Sequence, residues 1–238
     1  MDRAMLVLDV LSASSGPLPV KDVAARADLD RTTTHRLLKS LAGRDLAEQG
    51  ENGWRLGVGT FRLGRIYLDS LPFTTVAPAY ALDLFRSQVQ HRPWSVVVSL
   101  LLDDAAAIVD RYWSDTAPLS TVLEIGALLP LDRSATGLAL LATMSDDEVR
   151  RRVGAPRATE LEELIDEARA DGGLACVPHL LHNDVHAVAC AVRGPSGAPV
   201  GAINVNGVDI EDQLRPDSEL ARGVKRAADR ISVVLSSR

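Results

Sequence analysis

Between Arg31 and Lys39 the chain reads Arg-Thr-Thr-Thr-His-Arg-Leu-Leu-Lys. On a helix, Thr32, Arg36 and Lys39 share one face and Arg31, Thr33 and His35 flank it. Guanidinium and ammonium groups reach phosphate oxygens, and hydroxyl, imidazole and guanidinium groups hydrogen-bond base edges. A second cluster, Cys176-x-x-His179-x-x-His182-x-x-x-His186, concentrates four metal-capable side chains. Imidazole and thiolate are good zinc ligands, but structural zinc sites show tighter paired spacing. No His-Glu-x-x-His run accompanies the cluster, and Asp184 is the only nearby acid. A metal-dependent enzyme or metal sensor built on Cys176, His179, His182 and His186 is the alternative reading, which metal analysis of the purified protein separates.

The basic run needs a helix to carry it. Thr34, Leu37, Leu38 and Leu41 recur at the spacing of one buried stripe, and Asp30 is placed to cap the first turn. Upstream, Val20, Val23, Ala24 and Ala27 make a second stripe, with Pro19 suited to the first helical position. The short turn 27–30 between them gives a helix-turn-helix. Residues 2–13 form an opening helix through Ala4, Val7, Leu8 and Leu11. Past Gly43, two short extended pieces around Asn52-Gly53 predict a hairpin with a type I′ turn. Three helices and a hairpin make a winged helix, whose wing brings Asn52 and Arg55 within reach of a groove or phosphate.

Formal net charge is −6, which at first sight opposes nucleic-acid binding. Residues 1–65 nevertheless carry ten Lys/Arg against eight Asp/Glu, and the remainder sixteen against twenty-four. The N-terminal segment is the positive part of an acidic chain. The acidic balance, with Asp28 and Asp30 beside the reading face, keeps open a winged helix that binds protein and not DNA; heparin retention and its loss with salt discriminate the two. No run of eighteen apolar residues occurs, and Asp9 interrupts the first apolar stretch, so neither a membrane span nor a signal peptide is expected. Two cysteines, Cys176 and Cys190, suit a reducing compartment, hence the cytoplasm.

Beyond the wing, residues 59–69 predict a linker helix with Phe61, Ile66 and Leu68 available for packing on a partner, interrupted at Leu71-Pro72. Residues 77–90 predict a helix. Strands are expected over 95–102, 107–112, 185–192 and 200–206, and helices over 134–143, 145–152, 159–171 and 214–235. The fold class is α+β: a winged helix-turn-helix over 1–58, a linker helix over 59–76 and an α/β sensor domain over 77–238.

These segments resemble the IclR-type bacterial transcription regulators. Residues 2–11, 22–41 and the Trp-Arg-Leu-Gly box at 54–57 match that family's opening helix, its recognition helix (Ser-Thr-Val-His-Arg-Leu-Leu there, Thr32 to Leu38 here) and its wing. Thr34 replaces an aliphatic residue at the buried position. Residues 126–142 and 197–207 resemble the family's C-terminal segments, so the likeness covers most of the chain. It implies a GAF-like effector-binding domain, and a cytoplasmic repressor that binds palindromic double-stranded DNA as a homodimer or a dimer of dimers, a homotetramer, with no cofactor and no catalysis. The DNA-binding residues would be Arg31, Thr32, Thr33, His35, Arg36, Lys39, Asn52 and Arg55. By motif, Ser134, Ala135 and Thr136 at the start of one helix and Asn204 and Asn206 on the closing strand would line the effector pocket, with Arg133 and His179 as further candidates. Ser134 could instead cap its helix, and the two Asn could satisfy backbone. Asp132, Arg133, Leu138 and the two Asn depart from the family pattern, which implies an effector different from its small acids.

Overall fold

A computed structural model describes residues 2–118, 122–177 and 185–237. The chain divides into two compact units, Met1–Ser70 and Leu71–Arg238.

The first unit contains α1 (Asp2–Ser12), α2 (Val20–Arg26), α3 (Arg31–Ala42), a hairpin of β1 (Ala47–Gly50) and β2 (Gly53–Leu56), and α4 (Val58–Asp69). Val7, Leu11, Val23, Leu38, Leu41, Ala47 and Trp54 close its core. Burial of each large apolar side chain there contributes about 1.5–3 kcal/mol. The inter-helix turn is tight because Asp28 adopts φ 51°, which Asp tolerates, and the Leu29 N–H donates back to the Ala24 carbonyl at 3.0 Å. Pro19 is the N-cap of α2, one residue before the position expected of it.

The hairpin forms where expected, but its turn differs. Gly50 pairs with Gly53, so Glu51 and Asn52 are the loop residues, and neither has the positive φ that a type I′ turn demands. The positive φ, 134°, falls on Gly53. A third segment explains why: Leu18 bridges Trp54 through two 2.8 Å backbone hydrogen bonds, and a Cβ on Gly53 would lie 2.5 Å from the Leu18 carbonyl. Tertiary contact, and not the Asn-Gly dipeptide, sets this turn.

The second unit is a six-stranded antiparallel sheet between two helical layers. Its strands are β3 (Trp94–Leu101), β4 (Ala105–Trp113), β5 (Leu128–Pro130), β6 (Leu174–Val177), β7 (His186–Arg193) and β8 (Pro199–Gly207), in the order β5-β4-β3-β8-β7-β6. The helices are α5 (Pro72–Leu84), α6 (Ala135–Leu141), α7 (Asp146–Val153), α8 (Ala155–Glu160), α9 (Glu162–Ala170) and α10 (Glu219–Ser236). α5 and α10 pack on the sheet face that carries Val96, Val98, Val188, Cys190, Ile203 and Val205. α6, α7 and α9 cover the other face, which carries Val97, Ile108, Ala189 and Ala202. None of the described helices is long and apolar enough to cross a membrane.

Several expected boundaries move. α5 begins at Pro72, with Leu71 extended before it as a residue preceding proline prefers, so Pro78 lies inside the helix. It ends in a π-helical turn, Phe85–Val89. The helix expected over 159–171 breaks where Leu161 turns into the core, and the last helix starts only at Glu219, after Ser218 caps it. β5 and β6 were not anticipated.

Candidate DNA interface and effector site

On α3, Asp30 Oδ1 accepts the Thr33 N–H at 2.8 Å, and hydrogen bonding from Thr33, first through its side chain and then through this N–H, holds the Asp30 carboxyl below its ordinary range. Thr34 is fully buried, with its hydroxyl donating to the Asp30 carbonyl at 2.9 Å, which is how the core absorbs a polar residue there. With Thr34, Leu38 and Leu41 inward, Arg31, Thr32, His35, Arg36 and Lys39 stand exposed, and Thr33 is half-buried. Among the described residues neither Arg31 nor Arg36 makes an ion pair. Two other cations are tethered: Lys39 donates to Gln49 Oε1 at 3.3 Å and lies 5.6 Å over the Trp54 ring, and Arg55 pairs with Glu48 across the hairpin. Asn52 is exposed at the wing tip. The hairpin and the end of α3 thus present one charged, hydrogen-bonding surface.

In the second unit, Ser134, Ala135, Thr136, Asn204 and Asn206 are all buried. α6 lies against β7 and β8, on the sheet side to which Asn204 and Asn206 belong. The Ser134 hydroxyl is engaged in capping: it accepts from the Gly137 N–H at 2.9 Å and donates to the Pro130 carbonyl at 2.7 Å. Arg133 is exposed and sits 3.6 Å from Asp132. Asp132 is held from a distance by Arg157 of α8, which donates to its carbonyl at 2.8 Å and approaches its carboxylate at 3.4 Å. Sequence reading had no signal for Arg157, twenty-five positions away.

It also passed over the serines of β3. Ser95 donates to Asn206 Oδ1 at 2.8 Å, and Ser99 is fully buried on the same face. Two serines four apart in an otherwise apolar strand share a face, and that was the available sign. Arg111 is opposite Val97 on β4; it donates to the Leu123 carbonyl and stacks 5.0 Å over the Trp113 ring. His179, like His182, lies outside the described residues.

The metal alternative finds no support. No group of three or more potential ligands gathers among the described residues. Burial, with a smaller contribution from Asp171, pushes the Cys176 thiol up to about 12, away from the thiolate a metal needs. His186 is buried, with Nε2 2.8 Å from Glu211 Oε1.

Family models match both units: an IclR helix-turn-helix domain over residues 1–51 and the C-terminal domain of the bacterial transcriptional regulator IclR over residues 67–233. The chain is 27% identical to the HTH-type transcriptional repressor AllR of Klebsiella pneumoniae, over 99% of this chain and 89% of that one. The crystal structure of a transcriptional regulator from Rhodococcus sp. RHA1 matches with TM-score 0.82 and 26% identity, covering 99% of this chain and 97% of that chain. An IclR homologue from Microbacterium hydrocarbonoxydans, solved with 4-hydroxybenzoate, matches with TM-score 0.81 and 19% identity, covering 99% and 98%. An exposed basic helix on a winged domain, joined in one chain to an α/β domain, and two family models that together span nearly its whole length show that this protein belongs to the IclR family of transcription regulators, with an N-terminal DNA-binding domain and a C-terminal effector-binding domain.

Proposed function

We propose that the protein is a cytoplasmic repressor that grips a two-fold symmetric operator as a homodimer or a dimer of dimers, and that a small molecule lodged against the α6 side of the C-terminal sheet alters that grip. The observation that carries the DNA half is the outward row Arg31, Thr32, His35 and Arg36 on a helix whose opposite face is closed into the core. A helix of this kind enters a major groove; Arg36 and His35 reach base edges, and Arg31, Lys39 and Arg55 serve phosphates. Asn52 at the wing tip contacts the flanking backbone. Two-fold symmetry places a pair of such helices in successive grooves. The output is occupancy of DNA and not turnover of a substrate.

The sensor half rests on the buried polar set of Thr136 on α6 and Asn204 and Asn206 on β8. That the Microbacterium homologue was solved with 4-hydroxybenzoate supports a small-molecule occupant for this domain. Ser134 and Ala135 shape the start of α6 and Arg133 the loop before it.

The test is a mobility shift on DNA upstream of the protein's own coding region, across a salt series. Wild-type affinity falls steeply as salt rises, because bound phosphates release counterions. Arg36→Ala loses about 1–3 kcal/mol of operator binding, tenfold or more, with an unchanged melting curve. Equal affinity of the variant and the wild type removes α3 as the reading helix.

A further inference from the structure

Lys39 lies in the last turn of α3, where the reading helix passes the wing, and both of its contacts fall on one rung of the hairpin. Its Nζ donates to Gln49 Oε1 at 3.3 Å and lies 5.6 Å over the Trp54 ring, and Gln49 and Trp54 are register partners on β1 and β2. That rung is fixed from behind: Trp54 is 1% exposed, and its backbone N–H and carbonyl both bond Leu18 at 2.8 Å. The adjacent rung carries Glu48 and Arg55, which the alternation of a strand turns to the other face of the hairpin. Among the described residues Lys39 makes no ion pair, and Glu48, the acid next to Gln49 in the strand, pairs with Arg55 instead.

The tie to Lys39 decides what Gln49 can do. An ammonium has only donors, so the oxygen of the Gln49 amide is the atom that meets it, and the amide orientation follows from its partner. Gln49 is exposed, and with Oε1 engaged it offers the two N–H donors of Nε2. A glutamine that reads adenine needs its oxygen and its nitrogen together, and here the oxygen is already in use. Lys39 also has donors to spare, since an ammonium carries three and only one goes to Gln49. Amide and ammonium donors side by side, with no carboxylate against them, suit an anionic oxygen. A helix seated in the major groove is flanked by phosphate strands, and the gap between helix and wing faces one of them.

We infer that Gln49 and Lys39 form a clamp on a single DNA phosphodiester, in which Gln49 is a backbone contact in its own right and not a reader of bases. The inference rests on α3 as the reading helix.

Mobility shifts on the upstream fragment that the full-length protein protects test it, with one neutral methylphosphonate moved through the half-site a phosphate at a time. Lys39 and Gln49 are exposed, so Lys39→Met, Gln49→Met and Gln49→Glu keep the wild-type melting curve. At one phosphate the methylphosphonate weakens wild-type binding ~tenfold, as expected for lost hydrogen bonds to a charged group. Gln49→Met binds unmodified DNA more weakly and suffers a smaller penalty at that phosphate. Its salt slope is unchanged, because an amide displaces no counterion, whereas Lys39→Met lowers the slope by about one. Gln49→Glu holds Lys39 at least as firmly but sets a carboxylate against the phosphate. It therefore binds more weakly than Gln49→Met, and regains affinity when that one phosphate is made neutral. Gln49→Glu binding as well as Gln49→Met reduces Gln49 to a tether for Lys39 and overturns the inference, as does a methylphosphonate profile that is the same in wild type and Gln49→Met at every phosphate. Arg36→Ala in the same assay keeps the two readings apart: undiminished affinity removes α3 as the reading helix, whereas its loss beside an indifferent Gln49 removes only the clamp.

Discussion

Asp30 joins two tasks in one side chain. Its carboxylate caps α3 through Thr33, and its carbonyl accepts the hydroxyl of buried Thr34, so the start of the reading helix and the polar atom in its core depend on the same residue. The bond to Thr33 lowers the Asp30 pKa below the value it has in the unfolded chain. A carboxyl with a lowered folded pKa contributes stability above its unfolded pKa and loses it as pH falls through the folded value. The side chain is fully exposed, so solvent and salt reduce the effect. Melting of the protein should therefore lose an increment of stability in the acid range that Asp30→Asn, which keeps an acceptor oxygen but does not titrate, fails to show. Superimposable acid profiles for the two proteins would falsify the cap as a source of pH dependence.

α6 is seated by its neighbours more than by its own propensity. Gly137 in its first turn presses against the chain before it: a Cβ there would stand 2.1 Å from the Leu131 carbonyl oxygen and 2.4 Å from its Cα. Backbone cannot step aside as a side chain can, so Gly137→Ala is expected to cost about 1–3 kcal/mol, read as a lower denaturant midpoint for the C-terminal unit with an unchanged slope. An unshifted midpoint would mean that α6 slides freely. The same elements show what the chain reveals of itself. The winged helix was legible almost throughout, because its stripes are long, its cap is local and its reading face is simply what the stripes leave outside. β5 and β6 were not: three and four residues ending in Pro130 or following the positive-φ pair Gly172-Gly173 are too short for a period of two to register. The effector candidates at Ser134, Asn204 and Asn206 come from motif and lie on one side of the sheet; Ser99 shows only as the second of two serines four apart in an apolar strand, and Arg157 depends on a contact across twenty-five residues, which no local pattern encodes.

At the scale of the whole molecule, α4 is apolar on more than one side and yet exposed among the described residues. Val58, Phe61, Leu63, Ile66 and Tyr67 are all more than half exposed, Phe61 at 71%, and Met5 and Leu6 of α1 add to the exposed apolar surface of the same unit. A helix apolar around most of its circumference is normally buried, and on the proposed two-fold operator a second copy of the chain is the partner that would cover such a patch. Pairing also serves affinity. In such a pair, once one reading helix is seated its partner would be held at high effective concentration over the second half-site, and the acidic chain, net −6, would add phosphate contacts against its own charge. The double variant Phe61→Glu with Ile66→Glu places carboxylates in that seam without touching α3. Light scattering at micromolar concentration should then report a smaller assembly, and full-operator affinity should fall by about two orders of magnitude towards that of an isolated half-site. If the assembly shrinks while full-operator affinity holds, one protomer suffices for the operator; if the mass is unchanged, the copies meet elsewhere and α4 needs another cover.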